Sequence, residues 1–164
     1  MLLLLAAVEN PSPFRKKGRK KMYEYRVEID RVVDGDTVDV NIDLGFGTWL
    51  RKERIRLYGI DTPESRTRDL VEKKYGLMAK DFLVEMLSHD GGIILRTKKD
   101  DKGKYGRILG ELWRAVDIQG LEPSGGRKSI NQMLVDEHHA VEYHGQSKDD
   151  ISARHLKNRY YLLG

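Results

Sequence analysis

The stretch RLYGIDTPE, residues 56 to 64, holds an arginine, an aspartate and a glutamate within nine positions, where a strand pattern runs into a proline turn. A strand end needs none of the three. Carboxylates at this density offer oxygen ligands to a hard cation or a base for a proton, and a guanidinium offers a planar fork of donors to a phosphate. Thr62 precedes Pro63, which drives it into extended backbone and stops a helix from starting there, so its carbonyl is free to face a ligand.

A second acidic stretch, VVDGDTV at 32 to 38, opens a strand over Thr37 to Leu44. Its alternation puts Val38, Val40, Ile42 and Leu44 on one face and Asp39, Asn41 and Asp43 on the other. Gly45-Phe46-Gly47 makes the hairpin turn, and Thr48 to Tyr58 is the returning strand. In a hairpin closed around Phe46, opposed residue numbers sum to about 92, so Asp36 falls roughly opposite Arg56, and a bulge would shift this by one residue. Asp61 to Glu64 continue past the strand end on the same side. Asp36, Asp61 and the Thr62 carbonyl then form a small set of hard oxygen donors. Such a set favours calcium or magnesium over zinc and leaves room for waters and a substrate phosphate.

The elements that must position these groups are legible as patterns. Tyr23 to Val33 is rich in β-formers. After the hairpin comes helical spacing, with Tyr75, Met78, Phe82 and Met86 in one stripe and Ala79, Leu83 and Leu87 beside it, a packing face with no chemistry of its own. Gly92 to Lys98 reads as a strand, KKDDKGKYG as a polar loop, and Arg107 to Ile118 as another strand region. EPSGGRK is a loop, Ser129 an N-cap for a short helix carrying Ile130, Met133 and Leu134, and Lys148 to Leu163 a final helix. Five strand segments with a helix after the third predict an α+β, mainly β, fold: a small closed five-stranded barrel with about three attached helices.

Length and charge narrow the field. The 164 residues, 39% of them apolar, suit one domain with a real core. The absence of cysteine excludes disulfides and thiolate chemistry. The net charge of +4 points toward nucleic acid only until its source is located. Residues 1 to 21 carry six basic side chains and one acid, and removing them from totals of 30 and 26 leaves 24 basic against 25 acidic. The segment is expected to be a flexible basic extension, with the folded domain over 22 to 164. MLLLLAAV is too short to span a bilayer and is a poor secretory signal, because its basic cluster follows the apolar run. That favours a cytoplasmic location without excluding secretion, and nothing in the sequence demands more than a monomer.

VVDGDTV, RLYGIDTPE and KGKYGR, in this order around a barrel-and-helix pattern, resemble the staphylococcal nuclease family from about Met22 to Tyr143. The resemblance implies an OB-fold barrel and calcium-dependent hydrolysis of phosphodiesters in DNA or RNA, with the 5′ oxygen leaving to give 3′-phosphate ends. It further implies that Asp36, Asp61 and the Thr62 carbonyl hold Ca²⁺, and that Glu64 is the general base. Arg56 and Arg107 would contact the phosphate, Lys104 and Tyr105 would stand beside the nucleotide, and Asp34 would support the metal site indirectly. Tyr143 is the candidate for nucleotide stacking. The hairpin between Asp36 and Arg56 is longer than in the type enzyme.

Each motif has a plainer reading. DGD suits any tight turn, DTPE a helix start, KGKYGR a basic loop, and Arg56 a cross-strand ion pair with Asp36. His138, His139, His144 and His155 match no metal pattern and read as surface or structural residues. The functional alternative is a catalytically inactive OB-fold module that binds single-stranded nucleic acid or a protein partner. Against it stands the retention of Asp36, Arg56, Asp61, Glu64 and Arg107. A phosphate binder has no use for the acids unless a metal is bound.

Overall fold

The computed structural model describes residues 23–98, 107–119 and 127–164. Alternation in the first half builds a barrel wall. Strand β1 (Tyr23–Asp34) pairs antiparallel with β2 (Thr37–Asp43), and β2 with β3 (Trp49–Leu57). Strand β5 (Ile93–Thr97) pairs antiparallel with β1 and with β6 (Ile108–Arg114), and β6 closes the barrel by running parallel to β3. The order β1-β2-β3-β6-β5 is the closed five-stranded barrel that the sequence predicts, an OB-type α+β fold.

The barrel interior is aliphatic. Val38 and Val40 of β2, Ile55 of β3, Leu95 of β5 and Leu112 of β6 are fully buried. Helix α1 (Leu70–Leu87) closes one side with Leu83 and Ala79, and α3 (Ile130–Asp136) closes another with Ile130 and Leu134. Asn131, buried on α3, donates to the carbonyls of Tyr58 and Gly110 and accepts from the Leu112 amide. One side chain thus ties the helix to the ends of β3 and β6. Ser129 caps α3 as expected, and α4 (Lys148–Leu163) has the predicted bounds, capped by Ser147.

Several expectations need correction. Arg107 to Ile118 is not one strand: β6 ends at Arg114, and Ala115–Gln119 forms a short helix α2, held by an Arg114–Asp117 ion pair at 2.6 Å and an Ala115 amide bond to the Gly92 carbonyl. The described residues therefore contain four helices, this short one being added to the about three that the sequence predicts. They also contain two more strands, β4 (Ile60–Asp61) and β7 (Val141–Glu142), which pair with each other outside the barrel. A two-residue strand is too short to show a period. The expected N-terminal extension, most of KKDDKGKYG and most of EPSGGRK lie outside the described residues. Among the described residues no helix is long and apolar enough to cross a membrane.

The alternation of β2 also breaks. Leu44 is exposed, lying past the strand end, whereas Asp39 is buried on the face assigned to solvent. Asp39 stands between Arg31 of β1 and Arg54 of β3 and binds both, at 2.8 Å and 2.7 Å. The Arg54 hydrogen bond, helped by that of Arg31, outweighs desolvation and lowers its carboxyl to about 2. A depressed acid stabilises the fold above its unfolded value of 3.8, and that contribution is lost as pH falls toward about 2. Both arginines are partly exposed, so solvent screening discounts the shift to about 1–2 kcal/mol. Asp39→Asn should lose that much in urea unfolding at pH 7, and its difference from wild type should shrink as pH falls from about 4 through about 2.

Candidate active site

The DGD turn joins β1 to β2 beneath α1. Gly35 is required by contact: a Cβ there would lie 2.8 Å from Ala79 Cβ and 2.9 Å from Thr62 Oγ1. Asp34 points its Oδ1 at the Gly35 amide and, at 3.3 Å, at the Ser65 amide of the DTPES loop. Asp36 Oδ1 accepts from Thr37 Oγ1, and its Oδ2 accepts from the Thr62 amide at 3.1 Å. The turn and the loop are therefore pinned to each other through two aspartates.

Register accounts for Arg56. Up to Leu50 the hairpin pairs as predicted, Ile42 with Leu50, but an irregularity between Val40 and Ile42 shifts the rest by one, so Thr37 is the residue opposite Arg56. The guanidinium still reaches back to Asp36, with Nη1 2.5 Å from Oδ2, while Nη2 lies 3.2 Å from Asp61 Oδ1. Arg56 thus bridges the two aspartates. Asp61 belongs to β4 and faces Val141 of β7, and the Tyr143 amide donates to the Gly59 carbonyl at 2.8 Å. Gly59, at φ +75°, makes the bend that lets the chain leave β3 for this pairing.

Glu64 is exposed on the loop that follows. The loop lies hard against α1 at Gly76, where a Cβ would come within 2.5 Å of the Glu64 carbonyl carbon and 2.6 Å of the Ser65 nitrogen. Only a residue without a side chain permits that approach.

These residues converge. Asp34, Asp36, Asp61, Glu64, Arg56 and Arg107 line one polar cavity of about 500 Å³, with Thr62 in its wall. A second, more apolar cavity of about 440 Å³ shares Arg56 and Arg107 and adds Leu57, Tyr58, Leu109 and Tyr143. Tyr143 therefore stands beside the polar site. Lys104 and Tyr105 lie outside the described residues.

Among the described residues no group of three or more acidic or histidine side chains gathers around a point where a metal could sit, and Arg56 bridges Asp36 and Asp61. The donors still fit a hard cation with an open coordination sphere. Burial raises the Asp36 carboxyl above the ordinary carboxylate range, and the Arg56 guanidinium only partly offsets it. A carboxylate with its desolvation so incompletely compensated gains from a further positive charge. Thr62 Oγ1 is buried without a hydrogen-bond partner among the described residues, a second sign of unmet polarity at this point.

Four further residues reach the site that the sequence reading does not single out for it. Tyr58 lies two residues from Arg56, hence on the same side of the strand line, a signal that was available. Arg54 and Arg66 line the polar cavity, and Arg54 also holds Asp39. His155 is the substantive addition. The sequence reads it as surface or structural, and the structure puts its Nε2 2.9 Å from Asp61 Oδ2. Nothing in the sequence signals a contact between residues 94 positions apart.

The class that fold and cavities define is an OB-type barrel that sets arginines against carboxylates in one cavity, beside a more apolar one with two tyrosines in its lining. The chain belongs to the staphylococcal nuclease homologue family, whose model matches residues 54–159. It is 29% identical over 118 residues to a thermonuclease of Staphylococcus hyicus, covering 72% of this chain and 66% of that protein. It is 30% identical over 113 residues to a thermonuclease of Staphylococcus intermedius, covering 69% and 62%. Endonuclease YhcR of Bacillus subtilis is 32% identical over 109 residues, 63% of this chain but only 8% of that much longer protein. The chain thus spans less than two thirds of the length of these relatives.

Proposed function

We propose that the protein is a metal-dependent nuclease that hydrolyses phosphodiester bonds in DNA, RNA or both as a monomer, with calcium as its ion and 3′-phosphate ends as its product. The observation that carries this reading is the convergence of Arg56, Arg107, Asp36, Asp61 and Glu64 on one cavity of nucleotide-phosphate size. The names of the relatives, two thermonucleases and an endonuclease, support it.

Asp36, Asp61 and the Thr62 carbonyl would hold the cation, which when bound neutralises charge on the phosphate and orients its oxygens. Glu64, on the loop past the proline, takes a proton from the attacking water. Oxygen from that water bonds to phosphorus, the bond to the 5′ oxygen breaks, and that oxygen takes a proton from solvent water to leave as a hydroxyl, while Glu64 returns its proton to solvent. Extra negative charge on the equatorial oxygens is met by Arg56 and Arg107, whose planar forks match phosphate geometry. Arg56 uses one face of its fork on the two aspartates and retains further N–H donors for the substrate. Tyr143 and Tyr58 offer apolar ring surface for the base next to the scissile phosphate, with Lys104 and Tyr105 assigned to the same nucleotide and Asp34 to supporting the loop.

The test is cleavage of labelled single-stranded DNA and RNA with Ca²⁺, with Mg²⁺ and with chelator, followed by analysis of the ends. The expected result is cutting with calcium, at least tenfold less with chelator, and 3′-phosphate termini. A protein that binds the strand and never cuts with either ion would be the non-catalytic OB-fold module instead.

A further inference from the structure

The C-terminal helix contributes a side chain to this site. Helix α4 is anchored by its Ser147 cap, by buried Ile151, and by Asn158, whose Nδ2 donates to the Ala140 carbonyl at 3.0 Å. Ala140 immediately precedes β7, the strand paired with β4. About two turns of α4 beyond its start, His155 lies on the side that meets β4, its side chain only 12% exposed. It lines a cavity of about 420 Å³ together with Asp61, Thr62 and Glu64.

From this geometry we infer that His155 is a positioning residue for Asp61, holding its carboxylate in the orientation that cation binding requires. An ionised carboxylate only accepts hydrogen bonds, so the Nε2 facing it carries hydrogen and donates. Asp61 then has Oδ1 fixed by Arg56 and Oδ2 fixed by His155, at 3.2 Å and 2.9 Å. The terminal torsion of an aspartate is otherwise broad, and one donor leaves it free to swing about that single bond. With a donor on each oxygen the carboxylate plane is set, and each oxygen keeps a lone pair for a cation. Removing an outer partner of this kind from a ligand usually costs 10- to 100-fold in metal affinity.

This inference rests on the reading of Asp61 as a cation ligand, and the experiment separates the two. The full chain would be melted over a calcium series, and the calcium concentration giving half the maximal rise in Tm would be read for wild type, His155→Leu, His155→Gln, His155→Asn and Asp61→Ala. His155→Leu should raise that concentration about 10- to 100-fold with little change in the Tm measured in chelator. His155→Gln, whose amide nitrogen can reach the place of Nε2, should restore most of the affinity. His155→Asn is too short to do so and should behave like leucine. If leucine at 155 prevents folding, the asparagine–glutamine pair carries the comparison. Unchanged calcium dependence in His155→Leu or His155→Asn, alongside its loss in Asp61→Ala, would overturn the role of His155 and leave the site intact. Unchanged dependence in Asp61→Ala as well would remove Asp61 from the cation site, and this inference with it.

Discussion

Arg56→Ala should cut phosphodiester cleavage by about 10²–10³-fold, the usual cost of losing one donor aimed at transition-state charge. It should also lose about 3 kcal/mol of stability. That is the low end for breaking a buried ion pair, because Asp36 keeps its hydrogen bonds from Thr37 and Thr62. The two effects separate in Arg56→Lys. Lysine keeps a positive charge near Asp36 and hence much of the stability, but it cannot span Asp36 and Asp61 while presenting a planar fork to phosphate. Calcium should recover part of the stability lost in Arg56→Ala, since a cation between the two aspartates supplies the charge the guanidinium supplied. Urea unfolding with calcium or with chelator measures the second effect, and single-turnover cleavage the first. Cleavage by Arg56→Ala within tenfold of wild type would remove the guanidinium from the chemistry.

The second large effect concerns the base and the helix behind it. Glu64→Gln should lower kcat by about 10²–10⁴ with KM nearly unchanged, as expected for a group that acts only as the proton moves. Gly76→Ala should reproduce part of this loss without touching the carboxylate. Alanine is the better helix former by about 1 kcal/mol, so α1 itself gains. The new Cβ, however, would stand 2.5 Å from the Glu64 backbone, and the loop must retreat. A displacement of that kind is worth about 10² in rate. If Gly76 acts through Glu64, the double variant should be little slower than Glu64→Gln alone. Additive losses would mean that Gly76 serves the fold at large.

Much of this architecture could be read directly. The β2 alternation, the GFG turn and the α1 stripe are local patterns with a period, and burial selects for the period. The helix from Lys148 to Leu163 opens at a serine cap, a start signal that a sequence displays. The hairpin register came out one residue away because an irregularity in β2 lies between the turn and Arg56, and turn geometry reports nothing beyond it. Asp39 was placed on the solvent face because alternation counts apolar residues. It takes no account of arginines on both neighbouring strands that cover and pair an acid.

What the sequence determined by itself is the identity and order of the groups: two aspartates, a carbonyl held extended by a proline, a glutamate and two arginines, in motifs specific enough to indicate a family. What only the tertiary structure decided is how they meet. The short pairing of β4 with β7 sets Asp61 opposite Val141, the missing Cβ of Gly76 sets the height of the Glu64 loop, and α4 brings His155 across 94 positions to the second oxygen of Asp61. None of these has a local signature. Each is a contact between surfaces whose mutual placement is settled by closing the barrel and packing α1, α3 and α4 onto it, and that is a property of the whole folded chain.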